Sequence, residues 1–412
     1  MKEKLHLFTA IGIELEYMIV DRDTLKVKPI CDKLIEKISG EISGDYENGK
    51  IAWSNELVTH VVELKTNGPA KSFVGLSDHF YKNIEQINEL LASFNAMLLP
   101  TGAHPLMDPH TETSIWPHEY NEIYSLYNKI FDCKGHGWSN LQSMHMNLPF
   151  ADDGEFAALH TAIRFLMPIM PALTASTPIL DGAPTGFVDS RLETYRHNQE
   201  KIPSIGGLVI PEAVFSKQEY YDKIFNPIIQ DIKPYDTEGI LEHHFLNSRG
   251  AIARFDRGAI EIRILDLQEA SKVDLAIAEF IFRALELLSS GEWISIVQQT
   301  AFKTEDLSKT FLNVVKTGEQ YILLDKNYVS AFGLSTTKPV TPINIWEVIL
   351  SKVETEMQHE SIKCIKTILE EGSLSSRILK ALNGDYSKEA INGVYEQLAV
   401  CLNTNQQFKV AK

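Results

Sequence analysis

The sequence predicts an α+β fold: a sheet of half-polar strands backed by helices, with a mostly helical C-terminal portion packed against it. Three observations lead there. Four short segments alternate apolar and polar residues at the two-residue period of a strand. Longer segments between them repeat apolar residues at three- and four-residue steps, as helices with one buried stripe do. No clean linker divides the 412 residues, so a catalytic core at 1–290 and a helical portion at 291–412 share a soft boundary.

In the first strand, over Ile11 to Val20, Ile11, Ile13, Leu15 and Tyr17 alternate with Gly12, Glu14 and Glu16, which puts both glutamates on one face. The second, around Val61 to Lys65, sets Glu63 and Lys65 opposite Val62 and Leu64. An amphipathic helix follows, marked by Leu76, Phe80, Ile84, Ile87, Leu91 and Phe94. In the third strand Ser143, His145 and Asn147 share one side, and Met144, Met146 and Leu148 the other. A helix is expected at about Glu155 to Met167. The stretch PALTASTPILDGAPTGFVDSR, ending at Arg191, is then too rich in Pro and Gly for a regular element and reads as a wall of a site. The fourth strand alternates Ala259, Glu261 and Arg263 with Ile260, Ile262 and Ile264, and a strong helix runs from about Ser271 to Leu288. From about Ile343 the chain is mostly helical, with Trp346, Ile349, Leu350 and Val353 on one stripe.

Bulk properties exclude several function classes. A net charge of -16 argues against nucleic acid, whose phosphates need clustered Lys and Arg. The apolar stretch Phe165 to Leu180 is shorter than a membrane span and carries three prolines, so it reads as core and no membrane partner is expected. Cys31, Cys133, Cys364 and Cys401 lie far apart without CxxC spacing, and the N-terminus lacks the apolar run of a signal peptide. A reducing cytoplasm fits both.

The chemistry is carried by the polar strand faces. Glu14 and Glu16, two residues apart on a strand, sit about 7 Å apart. At an effective dielectric near 20 their repulsion costs about 2 kcal/mol, so a cation is expected beside them. Glu56, Glu63, His145 and Glu261 are the other candidate ligands. This oxygen-rich set suits Mg2+ or Mn2+, whereas zinc sites use more Cys and His. A sheet face exposed to water would account for any single pair. Repetition of acids and a histidine across the strands is what points to metal.

These residues also resemble a known family. GIELEY at 12–17, ELVTHVVELKT at 56–66, SMHMN at 143–147 and AIEIRILDLQ at 259–268 resemble, in this order, the glutamate–cysteine ligase type 2, or carboxylate–amine ligase, family. TGAHP at 101–105 and LTASTPILDGAPTGFVDSR at 173–191 look like its other loops. The resemblance implies a glutamine synthetase-like catalytic fold, a curved antiparallel sheet with helices on its convex face and metals and ATP on its concave one. It implies that Glu14, Glu16, Glu56, Glu63, His145 and Glu261 are metal ligands and that Arg263 lies beside the transferred phosphate. Arg191 would hold a substrate or phosphate anion, and His104 and Asn147 would contact nucleotide. The implied activity is an ATP-dependent carbon–nitrogen ligase working through an acyl phosphate, with glutamate as carboxylate, cysteine as amine, and Mg2+ or Mn2+ as the metal; a homodimer is carried as an expectation. Many relatives show HxH where this chain has Ser143 and His145, which leaves the amine open.

Other signals are weaker. GDYENGK at 44–50 lacks the Ser or Thr of a phosphate loop and reads as a surface turn. His104, Asp108, His110, Glu112, His118 and Glu119 form a local cluster without a helical histidine pair, so a solvated loop is the better reading. His243 and His244 read as a partly exposed pair. Two rival functions stay open: a metal-dependent hydrolase on the same ligands, and a non-catalytic relative that keeps the metal and nucleotide face.

Overall fold

The computed structural model describes residues 4–410. Its ten strands are β1 Gly12–Asp21, β2 Asp45–Asn48, β3 Ile51–Asn55, β4 Val61–Thr66, β5 Ala96–Leu99, β6 Ser143–Pro149, β7 Ile179–Leu180, β8 Ala183–Pro184, β9 Ala251–Arg254 and β10 Ala259–Asp266. Eight of them form one sheet in the order β2-β3-β4-β1-β6-β10-β9, with β5 also paired to β1, and every pairing is antiparallel. The four expected strands are its centre.

Register decides what each face carries. Glu14 stands opposite Lys65 on β4 and His145 on β6, Glu16 opposite Glu63, Ser54 opposite Glu63, and Glu261 opposite Asn147. Because side chains alternate, these residues share one face, and Ile13, Leu15, Leu64, Met144, Met146, Ile260 and Ile262 share the other. That apolar face is fully buried against the Leu76–Ala92 helix through Phe80, Ile84, Ile87 and Leu91, and against the Asp153–Leu166 and Ser271–Ser290 helices. Asp152 caps the Asp153–Leu166 helix by accepting from the Glu155 amide. Gly291, at φ 69°, ends the Ser271–Ser290 helix in a left-handed turn that a side chain would strain.

A β-bulge interrupts β10. Ile262 pairs with Met146 but Leu265 with Met144, so three residue steps on β10 span two on β6. The extra residue reverses the parity of the strand. Asp266, opposite Ser143, thereby returns to the face of Glu261 and Arg263, where unbroken alternation would have put it with the isoleucines.

The helical portion beyond 291 shares the main core. Trp346 is buried and donates its indole N–H to the Ile169 carbonyl at 2.9 Å, and Tyr328 donates its hydroxyl to the Phe165 carbonyl at 2.8 Å. Phe165 to Leu180 is buried throughout, as its composition predicted. The Leu374–Leu382 and Lys388–Thr404 helices do something the sequence did not reveal. Together with Met97, Leu99 and Met107, they bury Met18 and Val20, on the glutamate face of β1, in a second core containing Leu374, Ile378, Tyr395 and Leu398.

One expectation fails. The stretch 171–191 is not free of regular structure: it holds a helical turn at Pro171–Thr174, the β7–β8 hairpin, and a Ser190–Tyr195 helix capped by Asp189. Asp181 and Gly182, both at positive φ, form the two-residue turn that an Asp-Gly pair favours in hairpins, a local signal outweighed by counting prolines.

Candidate metal centre on the sheet

Two overlapping groups of side chains have donor atoms within 4.8 Å of one another: Glu14, Glu63 and His145, and Glu16, Glu56 and Glu63. Glu63 belongs to both. Glu261 adjoins the first group, its Oε1 lying 3.9 Å from His145 Nδ1. The six expected ligands are thus gathered in one place, five from the central strands and Glu56 from the irregular chain just after β3.

Short hydrogen bonds fix the donors. His145 Nδ1 is 2.9 Å from Glu14 Oε2 and its Nε2 is 2.9 Å from Ser143 Oγ. Ser143 donates its amide and hydroxyl to Glu16 Oε2 at 2.6 and 2.9 Å. Asn147 donates to Glu14 Oε1 at 3.0 Å, so it orients a carboxylate of the cluster. Ser54 donates to Glu63 Oε2 at 2.5 Å and Lys65 Nζ donates to the same oxygen at 2.9 Å.

Electrostatics mark the cluster as short of positive charge. Desolvation, with Glu16 and Glu63 close by, holds the Glu56 carboxyl well above the usual carboxylate range. Burial opposes charge on His145, but Glu16 and the hydrogen bond to Glu14 prevail and raise it to about 9. Burial would likewise raise Glu14, and the His145 hydrogen bond turns the net shift downward. Clustered carboxylate oxygens with one imidazole match the hard-donor preference of Mg2+ or Mn2+. The residues present therefore fit such ions.

Two arginines flank Glu261. Arg263 Nε is 3.0 Å from Glu261 Oε1, and Arg254, on β9, has Nη1 3.8 Å from Glu261 Oε2 while its other nitrogens hold Asp256. Sequence reading found Arg263 and missed Arg254, because ARFDRG does not alternate long enough to register as a strand. Lys65 was placed on the polar face and given no role.

Two expected site residues have other partners in the structure. Arg191 is almost fully buried, its Nε 2.5 Å from Asp266 Oδ1 and its Nη2 donating to the Arg263 carbonyl at 3.2 Å. It braces the bulge; its guanidinium is not held out as a clamp for a substrate anion. Gly102 packs so closely on Asp266 that an added Cβ would meet its Cγ at 2.7 Å. His104 is buried away from the cluster, with Nε2 2.7 Å from the Leu25 carbonyl and Nδ1 accepting from the Leu106 amide, so both ring nitrogens are engaged and neither is offered to nucleotide. Other members of its loop hold the backbone: Asp108 caps a helical turn, Glu112 accepts from the Asp108 amide, and Glu119 accepts from the distant Gly44 amide. His243 and His244 are half-buried beside Phe225, outside both donor groups.

Comparison with known proteins settles the family. The family described as glutamate–cysteine ligase family 2 (GCS2) matches residues 10–397. This chain belongs to that family. Among similar proteins, one of uncharacterised function from Archaeoglobus fulgidus is 33% identical over 97% of this chain and all of its own length. A protein of Paenarthrobacter aurescens, provisionally named glutamate–cysteine ligase 2-3, is 24% identical over 88% of this chain and 77% of its own. Two solved structures share this fold. The glutamate–cysteine ligase of Francisella tularensis, in complex with AMP, aligns with TM-score 0.56 at 12% identity, covering 99% of this chain and 91% of that one. The bifunctional glutathione synthetase of Pasteurella multocida aligns with TM-score 0.61 at 13% identity, covering 96% of this chain and 53% of that one. The fold is therefore the expected one, and the family makes the chain a ligase of the glutamate–cysteine ligase type.

Proposed function

We propose that this chain is an ATP-dependent carboxylate–amine ligase, γ-glutamylcysteine synthetase-like, that activates a carboxylate as an acyl phosphate and joins it to an amine. The observation that carries the reading is the convergence of Glu14, Glu16, Glu56, Glu63 and His145 at one sheet face, in two donor groups that share Glu63, with Glu261 adjoining them. An acidic chain can accept a triphosphate only where fixed cations and bound metal outweigh its own charge.

In the reaction, a substrate carboxylate oxygen takes the γ-phosphoryl of ATP and the bond to ADP breaks. The amine nitrogen then attacks the acyl carbon, inorganic phosphate leaves, and the amine loses a proton. Glu14, Glu16, Glu56, Glu63, His145 and Glu261 would hold Mg2+ or Mn2+, which would offset the charge that develops during transfer. The chain's own residues do the rest. Arg263 places a guanidinium next to Glu261, where a phosphoryl oxygen held by that side of the cluster would meet it. Arg254 offers a second guanidinium on the neighbouring strand. Arg191 and Asp266 hold the Arg263 backbone, and Asn147 and Ser143 orient Glu14 and Glu16.

Glutamate and cysteine are the first substrate pair to test. No helix among the described residues is long and apolar enough to cross a membrane, and the four cysteines are free thiols, which supports a cytoplasmic setting. A homodimer is the assembly to look for by size measurement.

The deciding experiment is ADP release with Mg2+, ATP and panels of carboxylates and amines. Release should require carboxylate and amine together, and Glu261→Gln should nearly abolish it with an unchanged circular dichroism spectrum. Hydrolysis of a candidate amide without ATP would favour a metal-dependent hydrolase instead. Nucleotide binding without ADP release from any pair would favour a non-catalytic relative.

A further inference from the structure

Lys65 projects into the acidic cluster from β4. It stands cross-strand from Glu14, and its Nζ lies 2.9 Å from Glu63 Oε2 and 2.8 Å from Ser54 Oγ. Ser54 closes a small ring by donating to the same Glu63 oxygen at 2.5 Å. Glu63 is the one residue common to both donor groups, so the ammonium engages the carboxylate through which the two groups join. Its stem is only partly buried, with 36% of the side chain exposed, and it can swing aside on a flexible four-carbon chain. Burial works against its charge, and Glu63, Glu14 and Glu56 more than restore it. Those three acids come from both groups, so one ammonium partly neutralises the whole cluster.

A divalent ion and an ammonium cannot both sit against Glu63 Oε2 without repelling each other. We propose that Lys65 is a resident counter-cation that competes with divalent metal for Glu63, holding the cluster together when metal is absent and lowering its affinity for metal. The inference rests on the metal-binding part of the proposed function and not on the ligase chemistry. It differs from an ordinary cross-strand ion pair in the sign of its effect: deleting a merely structural partner loosens the cluster and weakens metal binding, whereas deleting a competitor tightens it.

The test is a titration of the whole protein with Mn2+ alone, read by electron paramagnetic resonance or calorimetry, on the parent and on Lys65→Met, Lys65→Gln and Lys65→Arg. Lys65→Met keeps much of the stem without the charge, and it should bind at least one Mn2+ on the order of tenfold more tightly. Lys65→Gln should shift the same way, and supplies the measurement if Lys65→Met does not fold. Lys65→Arg keeps the charge and should stay near the parent value. Unchanged or weaker Mn2+ binding in both neutral variants overturns the competition. A parent protein that binds no Mn2+ overturns the metal reading as well, while normal Mn2+ behaviour without ADP release leaves this inference standing and removes the ligase.

Discussion

The two halves of β1 present the same face to opposite fates. At one end Glu14 and Glu16 look into the acidic cluster; at the other, Met18 and Val20 on the same side of the same strand are sealed under the Leu374–Leu382 and Lys388–Thr404 helices. The sheet itself does not distinguish a reactive surface from a packing surface. What separates them is where the late helices dock, and this gives the C-terminal portion a role beyond bulk: it seals one end of the face in an apolar core and leaves the carboxylate end outside that core.

If that division holds, substitutions at the two ends should fail in different ways. The largest effect belongs to the acidic end. Glu63→Gln removes a ligand common to both donor groups and should lower ligase turnover on the order of a hundredfold or more, with little change in melting temperature; near-normal turnover would remove Glu63 from the chemistry. Next comes the buried pair that fastens the late helices. Arg377 and Glu269 are both fully buried, with Arg377 Nη1 2.6 Å from Glu269 Oε1 and 2.6 Å from the Phe408 carbonyl. Arg377→Met leaves Glu269 uncompensated and should destabilise the fold by about 3–5 kcal/mol in denaturant titration. Leu398→Ala, in the second core, should cost about 2–5 kcal/mol by the same measurement while Mn2+ affinity stays put. A change in metal affinity there would show that the two ends are coupled.

The last effect, comparable in size, is a pH dependence near the apolar end. Burial holds His104 at about 4, and His60 at about 4, below the ordinary value near 6.5. Folding thus favours the neutral ring, and the unfolded chain binds more protons between these values. The contribution is complete above about pH 6.5 and is lost as pH falls toward 4, by on the order of 3 kcal/mol for each histidine. Stability measured across this window should fall with acid, and His104→Gln should flatten the slope by about one proton. An unchanged slope would mean that His104 titrates normally in the folded protein.

Much of this was legible in the residues, and the exceptions have physical causes. Period-two alternation placed Glu14, Glu16, Glu63, His145 and Glu261 on strand faces, and because register in an antiparallel sheet preserves sidedness, sharing a face followed once the strands paired. Glu56 lies in irregular chain just after β3 and carried no periodic signal, so it was named among the candidate ligands without support from alternation. Arg191 was misread because its partner, Asp266, reaches that side only through the bulge, which alternation cannot foresee. His104 was misread because a histidine between Ala103 and Pro105 looks the same whether its ring meets a ligand or a carbonyl. The stripe of Trp346, Ile349 and Leu350 announced burial correctly. Nothing in the repeats of Ile378 or Leu398 told which of two sheet faces they would cover.

The extra residue between Ile262 and Leu265 works as a phase shifter, and what it guards is spacing more than identity. Inserting one further residue there would leave every existing amino acid unchanged and still swap the sides of all that follows in the strand, driving the Asp266 carboxylate into the oily layer and Leu265 into its place beside Arg191, whereas removing the extra residue would restore plain alternation and keep Asp266 on its side. Drift in this family should therefore tolerate exchanges of side chain at this kink far more readily than an added link across it.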